Sequence, residues 1–418
     1  MDRRVSKSSM GRLNIDLHSA VIALSGALDL VGVDEVRHGK RVAVMAYRVA
    51  RALNWSDDEC LSIFYAGMLH DCGVSKTEEH RNLTATLEWE GAEEHCIRGA
   101  AYLADCVPFV HLADEIRYHH TRWEHLVELP LTESIKLRAN LIFLVDRVDV
   151  LQTPYLGTER ILTRRAPILA RISELAGVLF CPDLVYAFTE VANVEAFWLA
   201  MEADYLDEDI HTLGTHIPPL ELDYPTLKDV AILFSHVVDA KSPYTDEHSQ
   251  RVAKIARFLA GEFGFDTYTL DQIEIAGLLH DIGKLRVSEE IIEKPGQLTP
   301  DERACVHRHS YDTYRILLRV FGNSNIPKWA GLHHENLLGA GYPFKTAGKN
   351  LDLETRIISV SDIFQALAQH RTYRPKLSLN EILLELDKRV SSGELDRDVV
   401  AKLREHSSWC YSLATTGT

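Results

Sequence analysis

AGLLHDIGKL (residues 276–285) decides how this chain is read, because its frame recurs in the first half as AGMLHDCG (residues 66–73). Working outward from each copy, the histidines fall into two series of the same order. The second half carries His248, His280-Asp281, His309, His333-His334 and Asp362; the first carries His38, His70-Asp71, His95, His119-His120 and Asp146. Two spacings are identical: 32 residues from first to second histidine (38 to 70, 248 to 280), and 24 from the next histidine to the His-His pair (95 to 119, 309 to 333). The flanks repeat too. HGKRVAVMAYRVARAL (38–53) matches HSQRVAKIARFLAGEF (248–263), and LRANLIFLVDRVDVL (137–151) matches ETRIISVSDIFQAL (354–367).

A long self-similar unit present only twice is a duplicated domain and not a solenoid. Apolar residues in RVAKIARFLAGEF (251–263) and EILLELDKRV (381–390) recur at three and four, the helical period, while strand-like alternation is scarce. The expected fold is therefore all-α, with tandem helical bundles at residues 12–202 and 223–412. The acidic run from Asp204 to Asp209 and the proline-bearing HIPPLELDYP (216–225) mark residues 203–222 as a linker.

Composition narrows the function classes. The 418 residues are 46% apolar and 25% charged, the balance of a globular chain long enough for two or three cores. A net charge of −16 disfavours DNA, whose phosphates require a basic face, but leaves room for a small anion held by metal ions. The apolar stretch Leu17–Leu28 is too short to span a bilayer and reads as a helix rather than a signal peptide, because Asp16 and His18 interrupt it. No membrane partner is expected. Seven cysteines without a C-x-x-C pair indicate neither disulfides nor a zinc knuckle, and a reducing cytoplasm is the expected location.

Imidazole and carboxylate without thiolate suit divalent first-row metals such as Fe, Mn or Zn, whereas Mg and Ca favour all-oxygen sites. An adjacent His-Asp at a helix end can give an imidazole to one ion and a bridging carboxylate to two. A pair of ions about 3.5–4 Å apart suits phosphoester hydrolysis. A lone histidine on an apolar helix is more often a packed core residue than a ligand. Seven ligand-type residues at repeated spacing reverse that preference.

The ordered set YTDEHSQRVAKIA (244–256), AGLLHDIGKL, EKPGQLTPDERACVHRHS (293–310), HHENLLGAGYP (333–343), RIISVSDIFQAL (356–367) and RTYR (371–374) resembles the HD-GYP family. These are bacterial cyclic-dinucleotide phosphodiesterases within the HD phosphohydrolase superfamily, acting in second-messenger signalling. The resemblance implies hydrolysis of a 3',3'-cyclic dinucleotide to the linear 5'-phosphorylated dinucleotide. It implies two divalent transition-metal ions (Fe, Mn or similar) on His248, His280, Asp281, His309, His333, His334 and Asp362, with Asp281 as bridge and as a catalytic group. Lys284 matches a lysine that contacts phosphate. Gly339, Gly341, Tyr342 and Pro343 form the GYP turn, and Gly341, Tyr342, Pro343, Gln365, Arg371 and Arg374 are the implied substrate contacts.

Three departures bear on specificity. Leu338 and Gln365 stand where the family usually has aspartates, leaving cyclic di-GMP and 3',3'-cyclic GMP-AMP both open. Tyr244 replaces the glutamate that serves a third metal in some members, favouring two ions. In the first half all seven ligand types persist, giving a second metal set on His38, His70, Asp71, His95, His119, His120 and Asp146. However, Val74 replaces Lys284, Tyr155 replaces Arg371, and nothing after His120 resembles GYP. That half is expected to be a regulatory or dimerising scaffold, a nucleotide sensor, or a phosphatase for the linear product. A catalytically silent cyclic-dinucleotide receptor is the alternative for the whole chain, with a second copy or a signalling protein as partner.

Overall fold

The computed structural model describes residues 15–31, 37–242, 247–370 and 375–415. No strand forms among them, only the isolated bridges Asp16–Glu221 and Ala176–Phe180. Two compact units result. One spans Val21–Pro219; the other runs from Leu220 onward and takes in the described residues up to Ala20. No helix is long and apolar enough to cross a membrane.

In the first unit the site is built on α1 (His38–Ala52), α2 (Asp57–Leu69), α3 (Ala92–Ala104), α4 (Ala113–Tyr118) and α5 (Glu133–Gln152). Sequence periodicity becomes packing directly: Val42, Met45, Ala46 and Val49 of α1 are fully buried. Each large aliphatic side chain of this kind contributes about 1.5–3 kcal/mol. A capping box starts α2, with Ser56 and Glu59 satisfying each other's backbone N–H groups.

The segment expected as a linker proves to be a helix, α6 (Ala203–His216). Its acidic face is matched within the first unit. Asp207 pairs with Arg37 at 2.9 Å and Lys40 at 2.8 Å, and Asp209 pairs with Arg48. An acidic run reads as solvated when its cationic partners lie far away in sequence, which is why composition suggests a linker here.

The second unit repeats the arrangement with α7 (Tyr224–Asp239), α8 (His248–Glu262), α9 (Thr267–Leu279), α10 (Pro300–Phe321), α11 (Ile326–Gly331) and α12 (Leu353–Ala368). Asp239 at the end of α7 accepts from the Ser249 backbone N–H at 3.0 Å and hydroxyl at 2.9 Å, fixing the first turn of α8. Gly283 lets the turn after α9 press against α10, since a Cβ there would lie 2.1 Å from the His309 carbonyl oxygen. Gly73 meets the His95 carbonyl in the same way. The close approach brings the His-Asp pair level with the histidine of the next long helix.

Candidate metal centres

In the second unit, five segments deliver the seven predicted ligands to one place. His248 opens α8, His280-Asp281 follows α9, His309 lies within α10, His333-His334 follows α11, and Asp362 lies within α12. Asp281 stands between two imidazole groups. Its Oδ2 is 3.6 Å from His248 Nε2 and 3.3 Å from His280 Nε2; its Oδ1 is 3.4 Å from His309 Nε2 and 3.7 Å from His333 Nε2. Asp362 Oδ1 lies 3.4 Å from His248 Nε2 and 3.9 Å from His280 Nε2, and His334 clusters with His309 and His333.

The backbone sets the tautomers. His280 Nδ1 donates to the Gly277 carbonyl at 2.8 Å, His333 Nδ1 to the Ala330 carbonyl at 2.6 Å, and His309 Nδ1 to the Val306 carbonyl. A carbonyl only accepts, so the proton sits on Nδ1 and each Nε2 presents a lone pair inward. Burial, reinforced by the neighbouring His280, pushes His333 down to about 3. Burial opposes ionisation of Asp281, but His280 and Lys284 hold it well below the usual carboxylate range. A neutral His333 beside an ionised Asp281 is the pairing metal ligation requires, whereas the burial that opposes charge on His248 is outweighed by Asp281 and Asp362 beside it, which raise it to about 9.

Four buried atoms, His248 Nε2, His280 Nε2, His333 Nε2 and Asp281 Oδ1, make no hydrogen bond. Unpaired buried groups cost about 1–3 kcal/mol each. Their convergence fits metal ligation.

The remaining predicted residues fall around this centre. Lys284 Nζ bonds Asp281 Oδ2, its side chain 28% exposed. Gly341 is buried where a Cβ would come within 2.4 Å of the His334 carbonyl oxygen and 2.5 Å of Glu335 Cα, so only glycine fits. Tyr342 stacks on His307, centroids 3.8 Å apart and planes 8° apart, with His334 at 4.9 Å; Pro343 beside it is half-buried. Leu338 is exposed. Gln365 departs from expectation. It is fully buried, and its Oε1 accepts from His248 Nδ1, whereas the resemblance implies a substrate contact. Its place one helical turn beyond Asp362 on α12 causes this. Tyr244, Arg371 and Arg374 lie outside the described residues.

Two residues escape the sequence reading. His307 supports Tyr342, and Glu335 accepts from Phe344 N at 2.6 Å and Thr346 N at 3.1 Å, shaping the GYP turn. Both stand beside predicted ligands, in HRHS and HHEN, and that adjacency is their signal in the sequence.

The first unit gathers its seven residues in the same pattern. Asp71 Oδ2 faces His38 Nε2 at 3.7 Å and His70 Nε2 at 3.5 Å, while Oδ1 faces His95 Nε2 at 3.5 Å. Asp146 Oδ1 is 3.4 Å from His38 Nε2, and its Oδ2 is 3.6 Å from His120 Nε2. Three differences surround them. Behind His38 stands Asp149, which receives Nδ1 at 2.7 Å and is gripped by Arg41 at 2.6 and 2.9 Å. The buried Arg147 takes Asp146 Oδ2 at 2.7 Å. Cys96 Sγ lies 3.8 Å from His95 Nε2 and 4.0 Å from His119 Nε2. Val74 is buried, and Tyr155 lies under the guanidinium groups of Arg160 and Arg164, each 5.3 Å from its ring.

Comparisons with known proteins agree with the duplication. Models described as HD domain match residues 36–151 and 233–399. The chain is 40% identical over 405 residues to the 3'3'-cGAMP-specific phosphodiesterase 1 of Vibrio cholerae serotype O1, covering 96% of this chain and 94% of the relative. Over 273 residues it is 33% identical to phosphodiesterase 3 of that organism, covering 65% of this chain and 57% of the relative. The crystal structure of a V. cholerae cyclic GMP-AMP-specific phosphodiesterase superposes with a TM-score of 0.64 at 25% identity, covering 94% of this chain and 98% of the other.

Proposed function

The chain belongs to the HD-GYP branch of the HD-domain family, with a second HD domain in its first half, and from that premise we propose that it opens the ring of a 3',3'-cyclic dinucleotide. The substrate is 3',3'-cyclic GMP-AMP. Two relatives that bear that name, one aligned over nearly the whole length of both chains, support this choice over cyclic di-GMP. The product is the linear 5'-phosphorylated dinucleotide.

One observation carries the reading: the two oxygens of Asp281 face two separate imidazole groups, His248 with His280 on one side and His309 with His333 on the other. With Asp362 and His334 these residues would hold two divalent ions. Such ions supply Lewis-acid activation of water and of the phosphoryl group. The chain's own residues do the rest. Lys284 turns from Asp281 to the phosphate and balances charge that builds on its oxygens. The GYP turn, held by Glu335 and backed by His307, presents Tyr342 beside the centre. The backbone carbonyls that take Nδ1 of His280, His309 and His333 aim their Nε2 atoms inward.

The first unit takes the later step, removal of the 5'-phosphate from the linear product. It lacks the lysine and the GYP turn. A cavity of about 390 Å³ lined by Trp89, Glu90, Glu93, Arg117, Tyr118 and His125 leads to His120; Arg117 is paired with Glu93 at 3.2 Å, so the rings are what it offers a nucleotide end.

Purified full-length protein, reconstituted with Mn²⁺ or Fe²⁺ and offered each cyclic dinucleotide with product identification, tests the proposal. Linear dinucleotide from 3',3'-cyclic GMP-AMP is expected. Tight binding without turnover would make the chain a receptor.

A further inference from the structure

The two units differ in one potential ligand atom. His95 aligns with His309, so the next residue is Cys96 in the first unit and Ser310 in the second. Ser310 Oγ sits 3.3 Å from His309 Nε2. A neutral hydroxyl is a poor ligand, whereas a thiolate is a strong one for borderline and soft ions. The duplicated scaffold therefore puts sulfur where its sister puts oxygen.

The surroundings of Cys96 match what an ion would need. His95, Cys96 and His119 are all buried, and their ligand atoms lie within 4.8 Å of one another. His119 Nδ1 donates to the Ile116 carbonyl at 2.7 Å, which leaves Nε2 as a lone-pair donor 3.3 Å from His95 Nε2. A tetrahedral zinc site with Zn–N about 2.0–2.1 Å and Zn–S about 2.3 Å has nitrogen–nitrogen edges of about 3.3 Å and nitrogen–sulfur edges of about 3.6 Å. The observed 3.3, 3.8 and 4.0 Å need only a few tenths of an ångström of adjustment. Asp71 Oδ1, 3.5 Å from His95 Nε2, stands ready as a further donor. Cys96 and His120 also line the cavity of about 390 Å³, which gives an ion a route to the cluster. The plain alternative for this thiol is its helical hydrogen bond to the Ala92 carbonyl at 3.2 Å. That bond accounts for the thiol proton but not for the two imidazoles facing the sulfur.

We infer that Cys96, with His95 and His119, forms a thiolate-containing metal site in the first unit that prefers Zn²⁺, unlike the nitrogen- and oxygen-only site of the second. It rests on the reading that the first unit holds metal at all. Binding breaks the S–H bond, forms a metal–sulfur bond and releases one proton to solvent; no oxidant or reductant is involved. One chain would then carry two chemically distinct centres, each filled by a different ion.

Full-length protein stripped by chelator and reloaded with Co²⁺ tests this. A near-ultraviolet sulfur-to-cobalt charge-transfer band is expected, lost in Cys96→Ser. That variant should fold, because serine occupies the same position in the second unit. Zinc-loaded protein gives an independent readout: a sulfur shell at about 2.3 Å by X-ray absorption, diluted by the sulfur-free zinc of the second unit, that disappears in Cys96→Ser. A band that persists in Cys96→Ser overturns the assignment. So does its absence from wild type whose cobalt content falls in His119→Ala, and that result leaves the metal reading intact. Cobalt content unchanged by His119→Ala overturns both.

Discussion

The two halves hold the same seven ligand-type side chains in the same order, with an aspartate whose two oxygens face different imidazoles in each, and they differ in what stands behind those side chains. In the second unit the first histidine leans on an amide, Gln365, and a lysine reaches the bridge. In the first it leans on a carboxylate clamped by Arg41, an arginine occupies one oxygen of Asp146, and a cysteine joins the cluster. A carboxylate behind an imidazole makes it more basic, and a guanidinium on a ligand removes donor capacity. The cluster of ligand-type side chains is thus common to both units, while its surroundings differ. The backbone frame fixes the ligands, while single substitutions around them retune charge and access.

The largest expected effect separates bridge from scaffold. Asp281→Ala should lose ring opening and the second unit's metal together, while metal in the first unit stays, as elemental analysis would read. Full second-unit occupancy in that variant would remove Asp281 as the bridge. Lys284→Ala comes next. Its metal content should be unchanged and its turnover lower by about 10²-fold, the cost of one electrostatic donor to a developing charge. Kinetics equal to wild type would leave Lys284 as Asp281's surface partner.

A third substitution probes the difference behind the first histidine. Gln365→Leu should weaken metal binding by about 10-fold to 100-fold, the range for losing such a support, measured by competition with a chromophoric chelator. An effect confined to KM would return Gln365 to the substrate role that the family resemblance implies. The smallest effect belongs to the stacked pair: His307→Ala should raise KM by up to about tenfold with metals intact, in line with an aromatic contact of about 0.5–1.5 kcal/mol.

Most of this comparison is legible in the amino-acid sequence. Two series of histidines at matching intervals carry the duplication and name the side chains that cluster, because helix ends and turns must recur at fixed distances to bring them together, and apolar residues at three and four carry the helical class. What stands behind the ligands is not legible there. Gln365 is one helical turn from Asp362, yet only the fold shows that this turn points it at His248. Cys96 adjoins His95, and neighbours on a helix ordinarily face different directions, so adjacency argues against a shared site. The pairing of α6 with Arg37, Lys40 and Arg48 links residues far apart in sequence, and an acidic run carries no mark of a distant partner.

The proposed division of labour gives ring opening to the second centre and not to the first. Full-length His334→Ala and His120→Ala, metal-loaded and offered 3',3'-cyclic GMP-AMP side by side, test it most directly. His334→Ala should yield no linear dinucleotide, and His120→Ala should open the ring as wild type does. Ring opening that survives in His334→Ala, or vanishes in His120→Ala, would contradict it.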